Sequence, residues 1–286
     1  MQVTNKNISK QASPDSLPAT RITRAFEQAH KEGRGVLIPY FMSGYPSAEQ
    51  SIKIVVAAAE AGADIIEIGM PFSDPLADGA TIQHAGQVAL ERGMTIGGCM
   101  EVARQVAAQT SVPLLLMGYY NPVLAYGLDR FCEMARKSGV CGLIIPDLPP
   151  EESTPLREAA QREGLSLIFL VPPTTPDERI ALAADLAASG PGNFIYCVSL
   201  SGVTGSRKEL PPQLQNFIER VRAYTKDRHI PLAVGFGLST PEHIARVTSY
   251  AEGAVVGSAL VNLLDRYEED RQVEAVRQYI QSLAQR

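Results

Sequence analysis

Residues 65–83 read IIEIGMPFSDPLADGATIQ and contain a strand, a stiff loop and the start of a helix. The apolar run before Gly69 is typical of a strand that is buried on both faces. Pro71 and Pro75 make the following loop rigid, and a helical pattern begins near Ala80. The stretch therefore predicts one strand–loop–helix unit of a parallel sheet.

The same kind of unit recurs along the chain. The segments between the apolar runs are long enough for helices, and they carry apolar residues at spacings of three and four. Eight such units without a composition break favour a single α/β domain, a (β/α)8 TIM barrel, over an open doubly wound sheet, which usually has fewer strands. The predicted strands span residues 36–41, 64–68, 113–117, 142–145, 166–171, 194–198, 231–234 and 253–256.

Two further helices flank the predicted barrel. Ile22 and Phe26 lie on one face of an extra N-terminal helix, and apolar residues from Val273 onward indicate an extra C-terminal helix. We expect residues 1–19 to form a flexible tail and residues 20–286 to form one catalytic domain. Cap residues predict helix starts at Ser47, Thr175, Ser239 and Thr240.

Composition excludes several classes of protein. Of the 286 residues, 45% are hydrophobic and 20% are charged, which is ordinary for a soluble globular protein. No apolar run approaches the roughly 18 residues of a membrane span, and a net charge of −5 without a basic cluster argues against a nucleic-acid partner. The four cysteines have no metal-site spacing and no signal peptide precedes Ile22, so we expect a cytoplasmic protein.

Glu67 is the unusual residue of the opening stretch, because a carboxylate stands between Ile66 and Ile68 in an apolar strand. Burial of an ionised carboxylate costs several kcal/mol unless it is paired or its pKa shifts. Two interpretations remain open: a structurally satisfied carboxylate, or a group kept for proton transfer. The acids Asp74 and Asp78 in the next loop favour proton transfer.

Glycine-bearing turns follow the last three predicted strands, at residues 202–206, 235–237 and 257–258. Glycine lets the backbone approach an anion closely, and free N–H groups at a helix start favour negative charge. Any one of these turns could be a turn and nothing more. Three of them at the same end of a barrel predict a phosphate site.

Other chemistries are disfavoured by the residue types that are missing from the predicted rim, the end of the barrel where the carboxyl ends of the strands meet. Only one lysine, Lys208, lies near it, which argues against Schiff-base catalysis, and no histidines converge there to bind a metal. The acids and tyrosines that remain suit general acid–base catalysis without a cofactor, although each tyrosine alone could be a packing residue. They are Glu67, Asp78, Asp147, Tyr119 and Tyr196.

Five motifs resemble the tryptophan synthase alpha chain family. The opening stretch, MGYYNPV from Met117, GLIIPDLPPEE from Gly142, SLSGVTG from Ser199 and GFGLSTPE from Gly235 occur in the family's order. PFSDPLADG is highly specific, whereas GFG or GVTG alone would be weak evidence. The resemblance extends from about residue 20 to the C-terminus. It implies the same barrel and the reversible retro-aldol cleavage of indole-3-glycerol phosphate to indole and glyceraldehyde 3-phosphate in L-tryptophan biosynthesis.

The resemblance also assigns roles to single residues. Glu67 would be the acid/base at indole C3 and at the side-chain hydroxyl, Asp78 would stabilise the cationic indolenine through its N–H, and Tyr196 would lie beside them. Between its isoleucines Glu67 should have a raised pKa, whereas Asp78 should stay ionised.

The implied indole contacts are Tyr40, Met117, Tyr119 and Ile144. The implied phosphate contacts are Gly205, Phe236, Gly237, Gly257 and Ser258. Thr204, on a mobile loop at residues 200–210, would close over the Asp78 loop.

A partner is implied as well, the beta chain of an alpha2beta2 heterotetramer. Pyridoxal phosphate would be bound only by that partner, so we expect neither a cofactor nor a metal in this chain. The implied contacts with the partner are Pro71, Asp74, Asn121 and Pro149.

Three residues depart from the family pattern, and three alternative functions remain. Ala80 stands where proline is usual, Leu200 where a polar residue is common, and Cys141 where aspartate is common. Ala80 and Leu200 put loop closure in doubt. The alternatives are another phosphate-binding barrel such as an isomerase, a non-catalytic regulatory subunit, and a stand-alone lyase that releases indole.

Overall fold

The barrel prediction is confirmed. The computed structural model describes residues 17–198 and 210–284, and in it eight parallel strands close a barrel in chain order. The predicted strand ends agree with the observed ones to within two residues. The strands are β1 Val36–Met42, β2 Ile66–Gly69, β3 Leu114–Met117, β4 Val140–Ile144, β5 Ser166–Val171, β6 Ile195–Val198, β7 Leu232–Gly235 and β8 Gly253–Val256.

Twelve α-helices lie among the described residues, and the two extra helices that the sequence predicts are present. Helix α1 packs against the barrel interior, where Phe26 contacts Phe194 with the ring centroids 5.5 Å apart. The helices are α1 Thr20–Lys31, α2 Ala48–Glu60, α3 Ala80–Glu91, α4 Ile96–Ala107, α5 Tyr120–Tyr126, α6 Leu128–Lys137, α7 Thr154–Arg162, α8 Asp177–Ala187, α9 Leu214–Thr225, α10 Pro241–Thr248, α11 Ser258–Leu264 and α12 Glu269–Ala284.

The alternation of side chains along β2 explains where Glu67 lies. Ile66 and Ile68 belong to the large apolar layer outside the barrel, while Ile65 belongs to the cluster inside it. Successive side chains of a strand point to opposite faces, so Glu67 points into the barrel. Its register partner in β1 is Tyr40, whose side chain shares that interior face.

The predicted helix starts are partly right. Ser47 and Thr240 are N-caps, and each accepts a 3.2 Å hydrogen bond from the backbone N–H three residues on. The helix start predicted at Ser239 is wrong by one residue, because Thr240 is the N-cap of α10. The Thr175 prediction is also wrong: its own N–H donates to a carbonyl in the preceding turn, and Pro176 is the residue before the helix.

The start of the described chain is packed rather than loose. Ala19, the last residue of the predicted tail, is buried, and its N–H donates to the Gly164 carbonyl at 3.1 Å. Residues 1–16 lie outside the described residues, so the rest of the tail prediction stays a prediction. Within the described ranges no helix combines the length and apolar character needed to cross a membrane.

Candidate active site

A cavity of about 270 Å³ opens where the carboxyl ends of the strands meet. It brings together residues predicted for three separate roles: the acid–base pair, the indole contacts and the phosphate turns. Active sites of this fold lie at that end of the barrel. The described lining residues are Tyr40, Glu67, Ala77, Asp78, Gly79, Ile82, Met117, Pro146, Leu170, Pro172, Tyr196, Val198, Gly235, Gly237, Val255, Gly257 and Ser258.

Glu67 lies in the cavity wall, and its residue surface is 0% exposed. Neither carboxylate oxygen has a hydrogen-bond partner within residues 17–198 and 210–284. Burial raises the pKa of Glu67 from its ordinary 4.5 to about 8. Of the two interpretations that the sequence left open, a carboxylate satisfied by structural partners is therefore disfavoured.

Asp78 occupies the loop between β2 and α3 and is partly buried. Burial raises its pKa from 3.8 to about 6, and hydrogen bonding by the Tyr119 hydroxyl opposes that rise. At pH 7 most of Asp78 is therefore ionised while most of Glu67 is protonated. The sequence predicts this difference between the two acids, but it does not predict that the pKa of Asp78 also rises.

Two buried tyrosines complete the polar wall, and two glycines make room for them. A Cβ atom on Gly69 would lie 2.0 Å from the Tyr40 hydroxyl oxygen, and one on Gly235 would lie 2.7 Å from that of Tyr196. Neither glycine can be replaced without moving a tyrosine. Burial, with the nearby carboxylates adding to it, raises the pKa of both phenols well above 10. Both are therefore neutral hydrogen-bond donors at physiological pH.

The late glycine turns line the same cavity, next to the two tyrosines. Gly237 adopts a φ of 72°, a left-handed conformation that favours glycine, and Gly257 is the residue before α11. Ser258 begins that helix and also lines the cavity. The side chain of Phe236 is buried against Phe217 instead, with ring centroids 6.1 Å apart, so only its backbone can face a ligand. Gly205, Thr204 and Leu200 fall outside the described residues.

The predicted indole contacts divide into two groups. Tyr40 and Met117 line the cavity, whereas Ile144 and Tyr119 are not among its described lining residues. Ile144 is buried in the interior cluster beside Met117, its register partner. Tyr119 lies at the rim, where its hydroxyl accepts a 2.9 Å hydrogen bond from the Ala77 N–H.

Sequence reasoning missed the apolar residues that complete the wall. Leu170, Val198 and Val255 point inward because side chains alternate along a barrel strand, whereas the others lie beyond a strand end or on α3. The missed residues are Ile82, Pro146, Leu170, Pro172, Val198 and Val255.

The residues predicted to contact a partner lie at the same end of the barrel as the cavity, after three neighbouring strands. Pro71 and Asp74 are in the loop after β2, Asn121 is in the first turn of α5 after β3, and Pro149 is in the loop after β4. Asp74 and Asn121 are exposed, and the two prolines are partly exposed. Leu76 on the first of these loops is 87% exposed, which is unusual for a large apolar side chain.

Metal-binding chemistry finds no support among the residues that the structure describes. They include no group of three or more His, Cys, Asp or Glu that could hold a metal ion. The four cysteines are all buried and free.

Comparison with known proteins identifies the family. Residues 26–285 match the family model described as tryptophan synthase alpha chain. The chain belongs to the tryptophan synthase alpha chain family. The resemblance found in the sequence is thereby confirmed, and with it the chain's role as an alpha subunit in tryptophan biosynthesis and its classification as a lyase.

Similar proteins of this family come from distant organisms. The tryptophan synthase alpha chain of Chloroflexus aggregans is 47% identical over 264 residues, which are 92% of this chain and 96% of that relative. The tryptophan synthase of Saccharomyces cerevisiae is 44% identical over 264 residues, but these are only 36% of its length. A structure of Mycobacterium tuberculosis tryptophan synthase matches with a TM-score of 0.84 and 34% identity, covering 93% of this chain and 97% of that one.

The buried acid predicts a pH-dependent gain in stability for Glu67→Gln. The folded protein holds the Glu67 proton up to about pH 8, whereas the unfolded chain releases it near 4.5. The contribution of this group to stability is therefore fully present below pH 4.5 and is lost as the pH rises towards 8. The amide of Glu67→Gln cannot lose a proton, so the variant does not lose stability in this way. Its gain in unfolding free energy over the unsubstituted protein should therefore be larger at pH 8 than at pH 5, by on the order of 3 kcal/mol.

Urea denaturation of both proteins at the two pH values measures this difference. Glu91→Gln, a variant at an exposed position of α3, should show no such gain. An equal effect of Glu67→Gln at both pH values would contradict a raised pKa.

Proposed function

We propose that this cavity cleaves indole-3-glycerol phosphate reversibly into indole and glyceraldehyde 3-phosphate, with Glu67 as the acid/base and Asp78 as the stabilising anion. The observation that carries the proposal is the presence of two carboxyl groups with pKa values of about 8 and about 6 in one cavity. Near pH 7 one is a proton donor and the other an anion. The cleavage needs both, because it adds a proton to the indole ring and creates positive charge on it.

The glycine turns and the apolar wall of the cavity suit the two ends of the substrate. The phosphate would bind backbone N–H groups at Gly237, Gly257 and Ser258, with Gly205 added from the loop that follows β6. The indole ring would then lie against the apolar wall that includes Met117, beside Glu67 and Asp78. This orientation puts the carbon–carbon bond to be broken next to the buried acid.

The reaction follows in two steps. First, the Glu67 carboxylic acid gives its proton to indole C3, which disrupts the aromatic ring and leaves a cationic indolenine. The Asp78 carboxylate accepts a hydrogen bond from the ring N–H and offsets the charge. Second, the Glu67 carboxylate takes the proton of the side-chain hydroxyl, the bond to C3 breaks, and its electron pair restores the aromatic ring. The products are indole and an aldehyde, and Glu67 is again protonated.

The remaining side chains of the site would hold these atoms in place and exclude water. Tyr196 lies beside the acids as a neutral phenol, and Tyr40 lines the same wall. We propose that Thr204, on the loop at residues 200–210, meets the Asp78 loop on closure and keeps indole from escaping. The chemistry would use only side chains of this chain, and pyridoxal phosphate would belong to the partner.

Substitution of the two acids tests the assignment. Glu67→Gln should fold and lose indole formation by about 1,000-fold or more, because an amide can neither donate nor accept this proton. Asp78→Asn should lose about 100-fold, because it removes charge stabilisation and leaves the proton donor intact. Steady-state cleavage assays measure both, with Glu91→Gln as the control that keeps full activity. Substantial turnover by a folded Glu67→Gln protein would reject the mechanism.

A second proposal concerns the partner, a tryptophan synthase beta chain in an alpha2beta2 assembly. It is supported by the exposed residues around the cavity mouth, Asp74, Leu76 and Asn121. Adding a beta chain should stimulate cleavage strongly, and Asp74→Ala should weaken that stimulation more than Asp227→Ala, which changes an exposed residue before β7, at the opposite end of the barrel. High turnover that a beta chain does not raise would instead indicate a stand-alone lyase.

A further inference from the structure

Tyr119 contacts the loop between β2 and α3 at three points. Its ring packs on Phe72 with the centroids 5.3 Å apart, its hydroxyl oxygen accepts a 2.9 Å hydrogen bond from the Ala77 N–H, and the hydroxyl also interacts with the Asp78 carboxylate. The residue is 5% exposed and is not among the described residues that line the cavity. Its contacts are therefore with the loop that carries Asp78, not with the space that a ligand would occupy.

The direction of these hydrogen bonds is fixed by the chemistry of a phenol. The oxygen accepts the Ala77 N–H, and the single hydroxyl proton remains to be donated. An ionised carboxylate can only accept, so the proton points to Asp78. Burial and the neighbouring carboxylates raise the pKa of Tyr119 above its ordinary value, so the donor stays protonated near neutral pH.

We propose that Tyr119 is a positioning residue of this active site, which holds the Ala77 amide and the adjacent Asp78 carboxylate in one place. The inference rests on the proposed function, in which Asp78 must be an anion. Among the described residues, the Tyr119 hydroxyl is the group that opposes the effect of burial on the pKa of Asp78.

The other groups near Asp78 do not substitute for this phenol. Tyr40 from β1 and Tyr196 from β6 are close enough for the Asp78 charge to raise their pKa values, and Glu67 lines the same cavity. Asp147, whose carboxylate accepts the Tyr120 N–H at 2.9 Å, adds negative charge beside Tyr119. Among the described residues no cation contributes to the pKa shift of Asp78. Only the hydrogen bond from Tyr119, among those residues, lowers the pKa of Asp78.

Tyr119→Phe should therefore change the pH dependence of cleavage. In the unsubstituted enzyme kcat/KM should rise through about pH 6 as Asp78 ionises and fall above about pH 8 as Glu67 loses its proton. Loss of a charge-assisted hydrogen bond should shift the midpoint of the acid limb to a pH about one unit higher and leave the midpoint of the alkaline limb unchanged. Activity at pH 6 should fall about fivefold relative to activity at pH 8.

The experiment compares the pH profiles of the full chain, Tyr119→Phe and Tyr120→Phe. Tyr120 is the matched control, because it donates its backbone N–H, and not its hydroxyl, to the Asp147 carboxylate. At pH 7 the loss in Tyr119→Phe should appear in kcat, with KM nearly unchanged. If Tyr119 instead contacts the indole ring through its hydroxyl, KM should rise and the acid side of the profile should not move, which would overturn the proposal.

A double-mutant cycle separates this proposal from the proposed function. If Tyr119 acts through Asp78, then Tyr119→Phe should have little further effect in an Asp78→Asn background. Full additivity of the two substitutions would reject the positioning role. Retention of activity by Asp78→Asn alone would reject the proposed function itself, whatever Tyr119 does.

Discussion

The active site depends on the burial of one carboxyl group that has no hydrogen-bond partner among the residues that the structure describes. Glu67 lies inside the barrel because the register of β2 sends Ile66 and Ile68 outward, and the charged form of an isolated buried acid is strongly disfavoured. The group therefore keeps its proton near neutrality, which is the state that a general acid requires. The same burial lowers the stability of the protein as the pH rises, so the group is retained at a cost to the fold.

The rest of the cavity is arranged around this acid. Gly69 and Gly235 leave space for the two buried phenols, and the stiff loop after β2 brings a second acid, Asp78, to the same wall. Asp78 is less buried than Glu67 and has the Tyr119 hydroxyl as a donor, so its pKa rises less. Two carboxyl groups on one barrel thus reach different protonation states through their surroundings alone, and the proposed mechanism needs that difference.

Local sequence patterns predicted the fold and the two acids, because both leave a local signal. Strands that are buried on both faces appear as apolar runs, and a single acid within such a run is conspicuous. Contacts between distant residues leave no such signal. Gly69 was interpreted as the end of a strand, whereas the structure places its α-carbon against Tyr40 of the neighbouring strand. The hydrogen bond between Tyr119 and Ala77 joins residues 42 positions apart, and only the assembled barrel brings them together. Leu170 and Val255 were missed because cavity-facing apolar residues have the same sequence pattern as core residues.

The most direct test of this account is the titration of Glu67 itself. Glutamate labelled with carbon-13 at the side-chain carboxyl would be incorporated into the full chain, and the signal of Glu67 assigned by its loss in Glu67→Gln. The account predicts a midpoint near pH 8, well above that of every exposed glutamate in the same spectrum. A midpoint near pH 4.5 would mean that the buried carboxyl is ionised at neutral pH, and it could then not be the acid that protonates the indole ring.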